Sequence, residues 1–393
     1  MKNHYVHREI ETSILNRTKE FPVIVLTGPR QTGKSTMLKA IFPKYNYVSL
    51  DDPRKADAAI GDPALFLENY LSPLIIDEIQ YAPDLLRYIK LRVDGRKSRN
   101  GMYILTGSQI FPLMSGVSES LAGRAALFEL LGFSLDELPS QKHDMGYNGC
   151  FNILYRGFYP AIWTKKADVD TFYSSYLSTY LERDVRQVRS VHDLKVFQKF
   201  LELLAARSGS ILNLSEVSKE CGVSHTTAQG WLSILETSRI VYLLRPYHRN
   251  ITKRVIKSPK LYFTDTGLLA YLLRYPNSAT LGAGPIAGHV FENMMIIDVL
   301  KYKFNHNKKF EMYFMKDSNA NEVDLLIDYG NKVQMIEFKT TKTIKKDHMK
   351  SMLLVQKSMK TQEMYIVSFF DEEIKLGAGI KSLPWRRLNS VLK

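Results

Sequence analysis

Along the first third of the chain, short unbroken apolar runs alternate with stretches of mixed polarity. Pro22–Leu26, Tyr47–Leu50, Pro73–Ile76, Met102–Thr106 and Ala125–Leu131 read as short strands, the first of them buried. Between them, Ser35–Ile41 reads as a helix. A second helix is opened by Asp51-Asp52-Pro53, and a third runs from Asp62-Pro63-Ala64 to about Tyr70. An aspartate followed by proline places a capping carboxylate ahead of the first helical turn. An amphipathic helix over Tyr5–Lys19 is predicted to lead into the first strand. Strands alternating with helices give an α/β fold with a parallel sheet covered on both faces.

The pattern then changes. Leu138–Cys150, with Pro139, Gly146 and Gly149, reads as a linker, and Gly157–Pro160 as a turn. Asp170–Val188 is predicted as a long helix, with Tyr173, Tyr176, Leu177 and Tyr180 at helical spacing, and Leu194–Ala206 as another. A short helix within Asn213–Cys221 stops at Gly222, and Ser224 caps a second one over His225–Thr237. Ile240–Leu244 then reads as the strand of a wing. This is helix–turn–helix spacing. Trp231, Leu232 and Leu235 would be core, leaving His225, Thr226, Thr227 and Gln229 free to face DNA. Against DNA reading, the second helix carries no Arg or Lys before Arg239. Arg245, Arg249, Lys253, Arg254 and Lys257 lie in or after the wing, where they could grip phosphates without reading sequence. A protein-interaction or lid module has the same pattern. In the last third, an apolar helix over Gly288–Tyr302 precedes strands Phe310–Lys316, Asn321–Asp328 and Val333–Lys339, the last two joined by a Gly330-Asn331 turn. A helix near Lys346–Lys357 and a strand at Met364–Phe369 close the sheet. The domain division is 1–138, 150–258 and 259–393.

At 393 residues the chain exceeds one ordinary core. With 45% hydrophobic and 24% charged residues it is globular, and no apolar run approaches the ~18 residues of a membrane span. Met1–Ile10 lacks the apolar core of a signal peptide. Cys150 and Cys221 are too few for a disulfide framework or a cysteine-rich metal site, so a reducing, cytoplasmic setting is expected. The net charge of +14 favours an anionic partner, most often nucleic acid; the plainer alternative is a solvated basic surface plus nucleotide binding.

The chemistry centres on Gly28-Pro29-Arg30-Gln31-Thr32-Gly33-Lys34-Ser35, followed by Thr36. It fits G-x-x-x-x-G-K-[ST] between a strand and a helix. The glycines allow a tight turn whose N–H groups converge on phosphate oxygens, and the helix start adds partial positive charge. Lys34 is placed to reach the β- and γ-phosphates of ATP, and Ser35 to offer its hydroxyl to Mg2+. A second strand ends in Asp77-Glu78. Adjacent carboxylates at a strand tip are costly without a cation, so Asp77 is assigned to Mg2+ and Glu78 to the attacking water as general base; a helix cap at Asp77 is the alternative. Ser108, after the strand ending at Thr106, is a γ-phosphate sensor or simply part of a turn. Arg124 either supplies charge to a neighbouring subunit's site, which implies a homo-oligomer, or caps and decorates the surface.

The set Gly28–Ser35, Leu74–Glu78, Leu105–Ser108 and Leu121–Arg124 resembles an AAA-type ATPase. It is most similar to the large prokaryotic family that joins such a module to a C-terminal domain of unknown function. The resemblance implies phosphate binding by Lys34 and Ser35, Mg2+ at Asp77, water activation by Glu78, sensing by Ser108 and a finger at Arg124. The stretch Tyr180–Val185 resembles the same family's pattern, with Arg183 either at nucleotide or a neighbour, or in a surface pair. The chain departs from the wider AAA pattern in showing no helical lid with a second sensor arginine. In the last third, Asp324, Glu337 and Lys339 resemble the PD-(D/E)xK nuclease superfamily. Strand alternation puts Glu337 and Lys339 on one face, with Asp324 across a hairpin. The resemblance implies a restriction-endonuclease-like α/β domain in which Asp324 and Glu337 hold a second Mg2+, Lys339 steadies the hydroxide or transition state, and Glu292 adds an acid. Val323 stands where that pattern often has proline. The alternative is a plain hairpin with a polar face.

The resulting expectation is an ATPase that hydrolyses ATP with Mg2+, coupled to DNA binding, DNA being favoured over RNA, or to Mg2+-dependent nucleic-acid processing. The alternative is a nucleotide-switched assembly or signalling ATPase whose C-terminal half binds a protein partner without cleaving nucleic acid.

Overall fold

Five short apolar strands build the first layer: β1 Val23–Thr27, β2 Asn46–Ser49, β3 Leu74–Asp77, β4 Tyr103–Gly107 and β5 Ala125–Glu129. The structure, a computed structural model, describes residues 5–95, 99–108, 117, 120–139, 146–181, 185, 193–247, 258–317, 321–356 and 361–393. All five strands are parallel, in the order β2-β3-β4-β1-β5. Every residue of β1, β3 and β4 is buried, which is why they read as unbroken apolar runs. Along β1, Val23 and Val25 enter one apolar layer, while Ile24 and Leu26 enter the other. The first layer takes α3 (Pro53–Gly61), α4 (Pro63–Asn69) and α5 (Leu85–Val93); the second takes α1 (Glu11–Arg17) and α2 (Lys34–Ile41). The Asp-Pro starts behave as read. Asp52 and Asp62 accept from the Arg54 and Leu65 backbone N–H, with Pro53 and Pro63 as first helical residues.

The predicted helix over Tyr5–Lys19 shrinks to α1, with residues 5–10 irregular. The Glu11 carboxylate accepts from the Arg8 N–H and the Tyr5 hydroxyl, both at 2.5 Å. Arg8 itself is drawn across to the phosphate loop, which a continuous helix would not permit.

The middle is helical: α6 Tyr147–Arg156, α7 Pro160–Thr164, α8 Val169–Tyr180, α9 Leu194–Ala205, α10 Leu214–Cys221 and α11 His225–Thr237. The expected linker over Leu138–Cys150 is corrected at its end. Gly146 is the N-cap of α6, and Cys150, Phe151, Ile153 and Leu154 form its buried face. Apolar spacing outweighs the two glycines. Residues 140–145, and of the expected long helix residues 182–184 and 186–188 with Arg183, lie outside the described residues. Gly222 adopts φ 75° at the end of α10, and Ser224 Oγ accepts from Thr227 N at 3.0 Å. His225, Thr226 and Gln229 are exposed, while Trp231, Leu232 and Leu235 are buried. Strand β6 (Val241–Pro246) pairs antiparallel with β7 (Lys260–Phe263). Between them, Arg249, Lys253, Arg254 and Lys257 lie outside the described residues.

Helices α12 (Thr266–Leu272) and α13 (Ser278–Ala283) lead to α14 (Ala287–Asn305). Strands β8 (Glu311–Lys316), β9 (Glu322–Asp328) and β10 (Val333–Lys339) form an antiparallel meander. After α15 (Lys350–Gln356), β11 (Thr361–Ser368) lies parallel to β10. The expected closure at that strand is corrected, because β13 (Ile380–Pro384) continues parallel to β11, with β12 (Lys375–Gly377) beyond it. At the other edge β8 takes β6 as a parallel neighbour, giving an eight-stranded sheet. Residue 258 therefore falls between two paired strands. One apolar core draws on residues from Leu131 to Leu392, and a smaller one gathers Met352 and Val355 of α15 against Val323, Leu326 and Met335 of the meander.

Helix α14 is apolar all round because it is packed on all sides. It also ties the halves together. Its buried Asp298 accepts from Leu135 N at 2.8 Å, and its buried Lys301 donates to the Phe133 carbonyl at 2.7 Å. Burial pushes the Asp298 carboxyl up to about 7 and the Lys301 ammonium down to about 8, each partly offset by the other's charge.

Candidate functional site

Strand β1 delivers the chain to a loop that only certain residues can make. Gly28 has φ 141°, and a Cβ there would lie 2.1 Å from the Leu130 carbonyl oxygen. Gly33 has φ 90° as α2 begins, and Gln31 takes φ 62° despite its side chain. Thr32 Oγ1 donates to the Pro29 carbonyl at 3.0 Å. Lys34, 6% exposed, folds its ammonium over the loop and donates to the Gly28 and Pro29 carbonyls at 2.8 and 2.9 Å. Arg30, Gln31, Thr32, Gly33, Lys34, Ser35 and Thr36 line a cleft of about 700 Å3, and Glu78 lines it from β3.

Parallel strands put their C-terminal ends on one side, so the tip of β3 meets the start of α2. Ser35 Oγ donates to Asp77 Oδ2 at 2.7 Å, and Tyr47 donates to the same oxygen at 2.6 Å. Thr106 donates to Asp77 Oδ1. Glu78 turns into the left-handed region at φ 57°, which aims its carboxylate along the cleft. Its Oε2 accepts from Ser108 N at 3.2 Å, from Ser108 Oγ at 3.0 Å and from the Gln80 amide. Thus Lys34, Ser35, Asp77, Glu78 and Ser108 come together. Arg124 does not join them. Its carbonyl accepts from Val23 N at the start of β1, about 13 Å of strand from the loop. Its guanidinium is paired with Asp94, whose carboxyl it holds below the usual range.

The second constellation also assembles. On β10, Lys339 Nζ lies 2.7 Å from Glu337 Oε1. Across the hairpin, Glu337 Oε2 accepts from Asp324 N at 3.4 Å, and Asp324 Oδ2 accepts from Phe338 N at 2.9 Å. Glu292 approaches from α14. Strand β7 adds two residues that the sequence reading missed. Lys260 Nζ is 3.0 Å from Glu292, 2.5 Å from Glu322 and 3.8 Å from Asp324, and Tyr262 donates to Glu292 at 2.6 Å. Burial and the Asp324 charge push Glu337 up to about 8 and Glu292 up to about 7. Lys260 and Lys339 are held above the usual lysine range by surrounding carboxylates, although burial opposes their charge. Among the described residues, no group of three or more His, Cys, Asp or Glu is arranged to hold a metal ion.

Residues 20–139 match the AAA domain family, residues 149–279 a domain of unknown function (DUF8612), and residues 287–388 a second one (DUF4143). The chain is 30% identical over 325 residues to two uncharacterized proteins, Rv2008c of Mycobacterium tuberculosis and Mb2031c of Mycobacterium bovis. The match covers 82% of this chain and 71% of each relative. This chain belongs to their family. Among solved structures, it overlays partially on the Walker-type ATPase PABY2304 of Pyrococcus abyssi, with 14% identity and TM-score 0.46, covering 69% of this chain and 97% of that one. A DNA replication initiation factor overlays with 14% identity and TM-score 0.26, covering 76% and 92%. Among the described residues, no helix is long and apolar enough to cross a membrane.

The AAA domain also uses residues that the motif does not contain. Tyr47 and Thr106 fill the acceptor positions of Asp77, and both stand one or two residues from strand ends already assigned. Arg8 is less legible. It is 5% exposed and donates to the carbonyls of Thr32 at 2.9 Å, Leu131 at 2.9 Å and Gly132 at 3.1 Å, with Glu137 at 2.9 Å as counter-ion. It fastens the phosphate loop to the chain leaving β5. An Arg8→Ala variant would strand Glu137 as a buried, unpaired charge. The expected cost is about 3–5 kcal/mol of stability, with weaker ATP binding. An unchanged melting temperature would refute the role.

Proposed function

We propose that the AAA domain binds ATP with Mg2+ and hydrolyses it, and that this cycle is coupled to nucleic-acid binding by the C-terminal half. The observation that carries the first part is the convergence of Lys34, Ser35, Asp77 and Glu78 on one cleft. The loop N–H groups and Lys34 would bind the phosphates. Ser35 and Asp77, already 2.7 Å apart, suit Mg2+, which when bound neutralises phosphate charge. Glu78 takes the proton of the attacking water, and Ser108 orients Glu78 through two hydrogen bonds. Reaction requires in-line approach of that water to the γ-phosphate. Arg124, remote within its own chain, would serve a neighbouring copy in a homo-oligomer.

The far wall of the cleft supports the coupling. Pro160, Ala161, Thr164, Lys165 and Thr179, all from the helical segment, line it opposite the phosphate loop. Nucleotide occupancy therefore bears on the body that carries α10, α11 and the hairpin β6–β7. The exposed His225, Thr226 and Gln229, together with the net charge of +14, support contact with nucleic acid, DNA rather than RNA, in the cytoplasm. The order α14, meander, α15 and parallel β11 supports a nuclease-like core for the last third. A second reading, a nucleotide-driven switch that binds a partner without cleaving nucleic acid, is favoured by one observation: Lys260 sits among the acids of that core.

The test is DNA binding against salt. Affinity for a duplex is expected to fall about tenfold or more between roughly 50 and 200 mM salt. A flat titration, with ATP turnover intact, would leave the partner-binding switch as the better account.

A further inference from the structure

We propose that Lys260 is the resident cation of the C-terminal cluster, standing where a nuclease-like core would hold a divalent metal, so that this half binds its partner without metal-dependent cleavage. The inference rests on the nuclease-like reading of residues 259–393 and deepens it.

A divalent cation needs several oxygens converging on a position left open for it and for water. Here the space between α14 and β9 is filled. The Lys260 ammonium lies 3.0 Å from Glu292, 2.5 Å from Glu322 and 3.8 Å from Asp324, and the residue is 2% exposed. Three further donors reach the carboxylates of this cluster. Tyr262 shares the Glu292 oxygen, Phe338 N takes Asp324 Oδ2, and Lys339 takes Glu337 Oε1. The cluster thus reads as an ionic centre in which Lys260 and Lys339 are the cations among four carboxylates.

Lys260 is also not a side chain that swings in from a loop. It opens β7, where it pairs with Leu244 of β6 on one side and bridges Ile211 on the other. Its ammonium lies 5.6 Å from the centre of the Phe314 ring on β8. Backbone pairing on both sides fixes where the side chain starts, and withdrawing the ammonium would leave buried carboxylates unpaired. An ammonium donates hydrogen bonds but is no Lewis acid. It does not lower the pKa of a bound water as a divalent metal does, so no hydroxide is made for attack on a phosphodiester. What it does do is pin the hairpin that follows α11 to the meander and to α14.

The test is Mn2+ binding to the full-length, nucleotide-free protein, followed by electron paramagnetic resonance. Wild type and Asp324→Asn are expected to bind Mn2+ identically, since the cluster holds none. Lys260→Met is expected to gain one site, about tenfold or more tighter than any in wild type. That site is lost again in Lys260→Met/Asp324→Asn and is not created by Lys260→Arg. The assignment is overturned if wild type holds an Mn2+ that Asp324→Asn releases, or if a folded Lys260→Met gains nothing. It is equally overturned if wild type nicks plasmid DNA with Mn2+ and Glu337→Ala does not. Should Lys260→Met fail to fold, the wild-type and Asp324→Asn comparison decides alone. ATP turnover and salt-dependent DNA binding, measured on the same wild-type preparation, report on the proposed function separately. Their absence would remove that reading and leave the Lys260 assignment standing.

Discussion

Alanine at Lys34 is expected to abolish measurable ATP binding, a loss of about a hundredfold or more in affinity by calorimetry. The ammonium is 6% exposed and hydrogen-bonded to two loop carbonyls, Gly28 and Pro29, so it is held directly over the loop that cradles phosphate. Charge-assisted hydrogen bonds to phosphate are roughly twice as strong as neutral ones, and no other lysine lies on the loop itself. The fold does not depend on this side chain. Loop shape is set by Gly28, which has no room for a Cβ beside Leu130, and by the left-handed turn at Gly33. The variant should therefore melt near wild type while losing nucleotide. Unchanged ATP affinity would refute the assignment of the cleft.

Glu78→Gln separates binding from chemistry. Turnover is expected to fall about 10²- to 10⁴-fold, the usual worth of a positioned base, with ATP affinity retained. Glutamine keeps an oxygen for the Ser108 N–H and hydroxyl, at 3.2 and 3.0 Å, so the side chain should stay in place at φ 57°. It cannot accept the proton of water. Loss within a factor of about ten would show that Glu78 only shapes the site and that another group orients the water.

The two acids at the β3 tip differ in their surroundings. Asp77 is buried and takes hydroxyl donors from Ser35, Tyr47 and Thr106, on three different elements. Glu78, one residue on, is turned away by its backbone conformation and lies against the cleft. The strand tip thus sends one carboxylate into the hydroxyls of Ser35, Tyr47 and Thr106 and the other to Ser108 beside the cleft. Arg8 holds the same loop through the Thr32 carbonyl and lines the cleft with it, as do Pro160, Ala161, Thr164 and Lys165.

How much of this was legible varies with the distance in sequence over which a signal acts. The phosphate loop is eight consecutive residues, and its conformation follows from glycine's freedom and the adjoining strand and helix. The helix caps at Asp52, Asp62 and Ser224 are legible for the same reason: donor and acceptor are two or three residues apart. The meander face was readable from alternation, because Glu337 and Lys339 are two residues apart on β10. By the same rule Lys260 and Tyr262 share a face of β7, and Glu322 and Asp324 a face of β9. What alternation does not say is that β7 joins this sheet. That depends on β6 pairing with β8 from residues 245–246 to 313–314, far apart in the chain.

Arg8 shows the other limit. An arginine inside a predicted amphipathic helix looks like a solvated charge. Only the folded chain brings Thr32, Leu131, Gly132 and Glu137 around it and converts a polar surface position into a buried clamp.

Local chemistry in the chain was enough to determine an α/β phosphate-loop module, the loop itself, the adjacent carboxylates Asp77 and Glu78 at a strand tip, and the hairpin acids Asp324 and Glu337 further on. Those depend on backbone freedom, capping and strand alternation, each acting within a few residues. The tertiary structure alone decided that the helical segment lines the cleft beside the phosphate loop, that β6 and β7 are part of the C-terminal sheet, and that Lys260 lies among the acids Glu292, Glu322 and Asp324. These are consequences of which surfaces bury against each other, and burial couples residues hundreds of positions apart.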